Sequence, residues 1–226
     1  MDQATDDGRA IDRGYAGGRP HISLTWMPEF WLFLSNLGDS RWLLPMAMVL
    51  LLALPRSESS LSRRWAVAIA VTAGLTVASK LAFMGWGIGI RRLDFTGISG
   101  HAAMSSVVYP VALWLTVSTG ERRDLRWFAA GSLLAGAIAY SRLPIQAHST
   151  SEVISGLALG LAASCAVLGT SVAPSRPKVR VLLLACVMGL VVPAAISDLR
   201  THDLIRDAAK LLSGRSSTHE RHDLGI

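Results

Sequence analysis

The chain has 226 residues, 51% of them hydrophobic and only 17% charged. About a quarter of a soluble domain is charged, so this composition excludes an ordinary soluble globular fold and fits a single membrane bundle. A net charge of +6 could signal nucleic acid, but the 22 Lys and Arg fall in short clusters between apolar runs, which is a membrane distribution.

Residues 1–25 are rich in Asp, Gly and Arg with no apolar core, so they read as a flexible tail without a cleavable signal peptide. Trp26 to Leu37 is apolar and aromatic but too short to span, and reads as an interfacial helix with Trp26, Phe30, Trp31 and Phe33 toward the membrane. Gly38-Asp39-Ser40 breaks it, and Asp39 or Ser40 is placed to cap the next helix. Six apolar runs follow, at 42–55, 65–90, 102–119, 127–140, 153–173 and 181–196. The first and fourth are shorter than the roughly 20 residues a bilayer asks for, so Arg41 and Arg56 are expected to snorkel around the first. The second is interrupted by Lys80 and loosens at Gly85-Trp86-Gly87-Ile88-Gly89. The fifth carries Ser155, Gly156, Gly160, Ala163 and Ser164, small residues that permit close helix packing. Cys165 and Cys186 lie inside apolar runs and read as core residues, without disulfide or metal-ligand spacing. From residue 198 the chain turns polar, with a short amphipathic helix expected to residue 210 and disorder from Ser213.

The fold expected is therefore all-α: an interfacial helix, then a transmembrane bundle of about six spans over residues 26–197, between polar tails at 1–25 and 198–226. Positive residues orient it. Arg56, Arg63 and Arg64, then Arg122, Arg123 and Arg126, then Arg176, Lys178 and Arg180 mark three cytoplasmic loops. The loops between them, holding Ser99-Gly100-His101 and Ser141 to Glu152, then both face outward.

Those two loops hold the reactive residues. His148 and Glu152 are four apart and share one helical face, where a carboxylate fixes the imidazole tautomer and raises the basicity of its far nitrogen. Arg142 offers a planar fork of donors suited to phosphate. Lys80 lies deep in an apolar run, where a cation is a functional residue more often than a snorkelling one. Glu152 also has a plain reading, as an acid favoured by a helix-start dipole. Arg91 and Arg92 serve equally well as interfacial anchors or phosphate ligands. An ideal helix would return Arg91 to the Lys80 face after eleven positions.

Ser141-Arg142, five residues, His148, three residues and Glu152, preceded by Ser99-Gly100-His101, resembles the membrane type-2 phosphatidic acid phosphatase superfamily. Glu152 stands where that family usually has Asp, and Ile98 where its second signature has Pro. Its first signature, a Lys followed after six residues by Arg-Pro, is matched only by Lys80 with Arg91 after ten, and no Pro follows. The resemblance covers about residues 80–160.

It implies a lipid phosphate phosphatase of the cytoplasmic membrane, with its site on the outer face. His148 would attack phosphorus to give a phosphohistidine, Glu152 would hold its far nitrogen, and His101 would act as acid, then base. Lys80, Arg142 and Arg91, with Ser99, Gly100 and the amides opening the next helix, would bind the phosphoryl oxygens. No metal or other cofactor is implied, and no carboxylate cluster is present to hold one. The partners implied are the bilayer and a lipid phosphate, from phosphatidic acid, phosphatidylglycerophosphate, polyprenyl pyrophosphate or lipid A; no nucleic acid is expected. The resemblance extends to the soluble vanadium-dependent haloperoxidases, which share the phosphate pocket. An inactive member that binds lipid phosphates or partners is the alternative reading.

Overall fold

The computed structural model describes residues 26–117, 125–169, 179–195 and 201–225. The expected N-terminal tail and the cationic positions Arg122, Arg123, Arg176 and Lys178 lie outside them. The described residues form α1 (Trp26–Asn36), α2 (Ser40–Ala53), α3 (Ser59–Trp86), α4 (Gly100–Val117), α5 (Leu125–Ser141), α6 (Thr150–Leu168), α7 (Val179–Ala195) and α8 (Thr201–Ser213). No strand occurs among them; an isolated bridge pairs Ile90 with Phe95. The all-α expectation holds.

Among the described residues three helices are long and apolar enough to cross a bilayer: α3 with the short turn before it, α4 and α6. The other apolar helices, α2, α5 and α7, run 14, 17 and 17 residues, so on length six crossings are not established. Asp39 caps α2 by accepting from the Arg41 N–H at 2.9 Å and also pairs with the Arg41 guanidinium at 2.7 Å. Arg41 is thus held by a neighbour instead of snorkelling freely. In α1, Phe30 and Phe33 are exposed, whereas Trp31 packs edge-on against Tyr140 of α5 with ring centroids 5.5 Å apart.

The centre of the bundle is α4, which packs most extensively against α5 and α6. A bilayer supplies no hydrophobic drive between helices, so close contact depends on small residues. Gly156 and Gly160 supply it on α6. A Cβ on Gly160 would stand 2.3 Å from the Ala103 carbonyl oxygen, and one on Gly156 would stand 2.6 Å from that of Ser99. Around this crossing Trp65, Val107, Val111 and Trp114 are fully buried, and the Trp65 ring N–H donates to the Val107 carbonyl at 3.1 Å. Gly160→Ala is expected to force the two helices apart at a cost of about 1–3 kcal/mol. The check is the thermal midpoint in detergent, which should fall; an unchanged midpoint would show that the crossing relaxes freely.

α3 stops at Trp86 because Gly87 adopts the left-handed conformation, φ 70°, and closes the helix with Gly87 N–H to Phe83 O at 2.7 Å and Ile88 N–H to Ala82 O at 3.2 Å. The helix therefore does not carry Arg91 round to the Lys80 face; Arg91 sits in a separate 3₁₀ turn, Arg91–Leu93. The C-terminal region differs most from its sequence reading. The amphipathic helix forms as α8 and packs on α3, with Ile205 and Ala209 buried. Beyond it, where disorder is expected, the His219 N–H donates to the Met84 carbonyl at 2.8 Å, and Arg221–Leu224 makes a short 3₁₀ turn. This segment also reaches a buried charge in the site itself.

Candidate active site

Lys80 near the end of α3, His101 in the first turn of α4, and Arg142 and His148 in the α5–α6 loop line one cavity of about 620 Å³. Three segments distant in sequence thus place a lysine, an arginine and two histidines around a common space.

The loop before α6 sets the histidine. Ser149 is the N-cap, and a reciprocal capping box joins it to Glu152: the Ser149 N–H donates to Glu152 Oε2 at 3.2 Å, and the Glu152 N–H to Ser149 Oγ at 3.4 Å. The same Oε2 lies 2.7 Å from His148 Nδ1. Glu152 is therefore both a helix-start acid and the partner of the histidine. Its other oxygen, Oε1, accepts from the Thr96 N–H at 2.7 Å and the Thr96 hydroxyl at 2.5 Å. The carboxylate is fully buried, so each of these bonds replaces lost hydration.

The loop before α4 is tied to the same helix. The Ser99 N–H donates to the Glu152 carbonyl at 3.1 Å, and the Ile98 N–H to Ser79 Oγ at 3.0 Å. Gly97, at φ 151°, lets the backbone pass Lys80: a Cβ there would meet Lys80 Cγ at 3.1 Å in a conformation that L-residues avoid. Ser99 is fully buried and Gly100 opens α4; neither is among the cavity-lining residues.

Arg142 is held from α1, where its Nη1 donates to Ser35 Oγ, while its Nε is buried without a hydrogen-bond partner. Burial pulls the His148 ring below the ordinary histidine value; the Glu152 hydrogen bond opposes that fall, and the nearby Lys80 charge adds to it. In its neutral form the ring would donate Nδ1–H to Glu152 and leave the lone pair on Nε2.

Arg91 is not brought into this cavity. Its Nη2 donates to the Gly225 carbonyl at 2.9 Å, and Arg91 and Arg92 line a neighbouring cleft of about 760 Å³ that shares His148 with the first. A groove of about 670 Å³ between α3 and α6, lined by Arg63, Arg64, Val67 and Ala163 among others, contains none of these reactive groups.

Sequence reasoning missed several contributors. His202 and Arg206 of α8, and Thr218 to Arg221 beyond it, line the cavity. Arg221 Nη2 stands 2.9 Å from Glu152 Oε1 and 2.8 Å from Oε2, and Nη1 donates to the Asp94 carbonyl at 3.1 Å and pairs with the Asp94 carboxylate. Nothing in the spacing of a polar tail announces such a contact. Of this capping box only Glu152, as a helix-start acid, was read from the sequence. Among the described residues no group of three or more His, Cys, Asp or Glu is placed to hold a metal ion.

The described residues thus form a helical bundle, three of its helices long and apolar enough to cross a membrane, with an imidazole–carboxylate pair, a lysine, an arginine and a second histidine around one cavity. Residues 91–176 match the family model of the PAP2 superfamily. The chain is also 47% identical, over 139 residues, to an "Uncharacterized 22.5 kDa protein in cps region" of Klebsiella pneumoniae. That match covers 59% of this chain and 66% of the relative. No solved structure matches it.

Proposed function

We propose that this protein is a metal-independent phosphatase that removes a phosphate from a membrane lipid through a phosphohistidine intermediate. The observation that carries the reading is the cavity itself, with neutral His148 held by buried Glu152 and faced by His101, Lys80 and Arg142. His148 Nε2 attacks phosphorus while the lipid alkoxide departs with a proton from His101. Water, deprotonated by His101, then cleaves the phosphohistidine and releases phosphate. Lys80 and Arg142 bind the equatorial oxygens, whose charge must be balanced because the transition state is loose. The unpartnered Arg142 Nε supports this role, since a buried donor without an acceptor is costly until a ligand oxygen meets it.

The substrate class is a lipid phosphate of the phosphatidic acid, phosphatidylglycerophosphate, polyprenyl pyrophosphate or lipid A type. The site would lie on the outer face of the cytoplasmic membrane, in a bundle whose short helices complete six crossings. Phosphate release from these lipids by purified protein in detergent with EDTA is the test. Release against each or one of them supports the reading, and release that requires added metal contradicts it. A second reading is favoured by Arg91, which stands outside the cavity: an inactive member that binds lipid phosphates without cleaving them. Saturable lipid phosphate binding with no phosphate released would establish that one.

The pH dependence follows from His148. A lowered histidine pKa keeps the nucleophile neutral until the pH falls below it, so activity is present above that value and lost as the pH drops through it. The acid limb of kcat/KM, corrected for the second ionisation of the substrate near about 6, is expected below the ordinary histidine value of about 6.5. A limb above that value would contradict a buried, neutral His148.

A further inference from the structure

We propose that Arg221, delivered by the C-terminal segment from outside the family-matched stretch, is a positioning residue that completes the His148–Glu152 pair. This rests on the reading of His148 as nucleophile. Glu152 is a fully buried carboxylate whose histidine partner must be neutral to react, so without a cation it would be an uncompensated buried charge. Arg221 supplies that cation across both carboxylate oxygens, at 2.9 and 2.8 Å. Contact with both oxygens fixes the plane of the carboxylate, and hence the direction in which Oε2 meets His148 Nδ1.

The arm that brings Arg221 there is anchored independently at three places. α8 packs on α3, the His219 N–H bonds the Met84 carbonyl, and Arg91 bonds the Gly225 carbonyl. Asp94 grips the guanidinium from the other side. Arg91, unplaced in the phosphate cavity, thereby gains a structural role, fastening the segment that carries the missing cation.

The charge balance has a sign. Around His148 stand Glu152 of α6, Lys80 of α3, His101 of α4, Arg142 of its own loop and, through the carboxylate, Arg221; His202, Arg206, His219 and Glu220 line the same cavity, and Arg91, Arg92 and Asp94 the adjoining cleft. Arg221 draws Glu152 away from supporting a protonated ring. Its removal takes a positive charge off the carboxylate, so the ring holds a proton more tightly and the acid limb moves to higher pH.

The test is a pH–rate series on the full-length protein in detergent, with dioctanoyl phosphatidic acid as probe, for Arg221→Gln and Arg221→Lys. Arg221→Gln is expected to lower kcat about 10–100-fold with KM nearly unchanged, as loss of a partner that orients a reacting group does, and to move the acid limb upward. Arg221→Lys keeps the charge but not the fork, so it should hold the acid limb near wild type and recover part of kcat. His222→Ala, an exposed neighbour on the same turn, should change neither. A raised KM with kcat intact would overturn the proposal by showing that Arg221 grips the substrate. So would equal losses in the Gln and Lys variants with an unmoved acid limb, which would mark a purely structural contact. Full activity in Arg221→Gln beside an inactive His148→Ala would refute the role of Arg221 and leave the nucleophile standing. Turnover surviving in His148→Ala would instead remove the reading on which this role rests.

Discussion

His148→Gln should lower phosphate release by about 10⁴-fold or more while leaving the protein folded in detergent, because the ring removed is the attacking group itself. The fold should tolerate the change. His148 lies in the loop between α5 and α6, and its contact to Glu152 is made by a carboxylate that Thr96, Ser149 and Arg221 also hold. A Gln amide can still donate one hydrogen bond toward Oε2. Rates are compared at matched thermal midpoints, and substantial turnover in the variant would take His148 out of the nucleophile role. His101→Ala should also be severe, but less so for substrates with good leaving groups, which need less acid assistance.

The second large effect concerns Glu152, where the family signature usually has Asp. Turnover is expected to fall in the order wild type, Glu152→Asp, Glu152→Gln, Glu152→Ala. The physical reason is that this carboxylate bridges two loops. Oε2 reaches His148 and Ser149 while Oε1 reaches Thr96, so a side chain one methylene shorter must give up one end. Gln keeps the length but cannot balance the charge on a phosphohistidine or on Arg221. Ala removes the partner of Arg221 and the hydrogen bonds that join the two loops, so its thermal midpoint should drop as well, although Arg221 is 38% exposed and water offsets part of the loss. Near-wild-type turnover in Glu152→Ala would show that the residue only starts α6.

The parts of the site that were legible in the sequence are those whose geometry is local. Four residues separate His148 from Glu152, and the capping box fixes the first turn of α6, so their contact follows almost from spacing alone. The helical class and the close packing of α6 through Gly156 and Gly160 were equally readable, since apolar runs and small residues report them directly. The placement of Arg91 was not, because it depended on whether α3 ran past Gly87, and one left-handed glycine decided that. The C-terminal segment was misread for a different reason. Its composition is that of a disordered tail, and the contacts it makes are distant in sequence, among them the pairing of Arg221 with a buried carboxylate 69 residues away. Ser35, which holds Arg142 from α1, was invisible for the same reason.

Rapid-quench trapping of the covalent intermediate tests the central claim most directly. Wild-type protein turning over a lipid labelled in its phosphate should carry an acid-labile, base-stable phosphoryl label that maps to the peptide containing His148 and is absent from His148→Gln. Turnover without any such label in the wild type, or a label that persists in the variant, would contradict catalysis through His148.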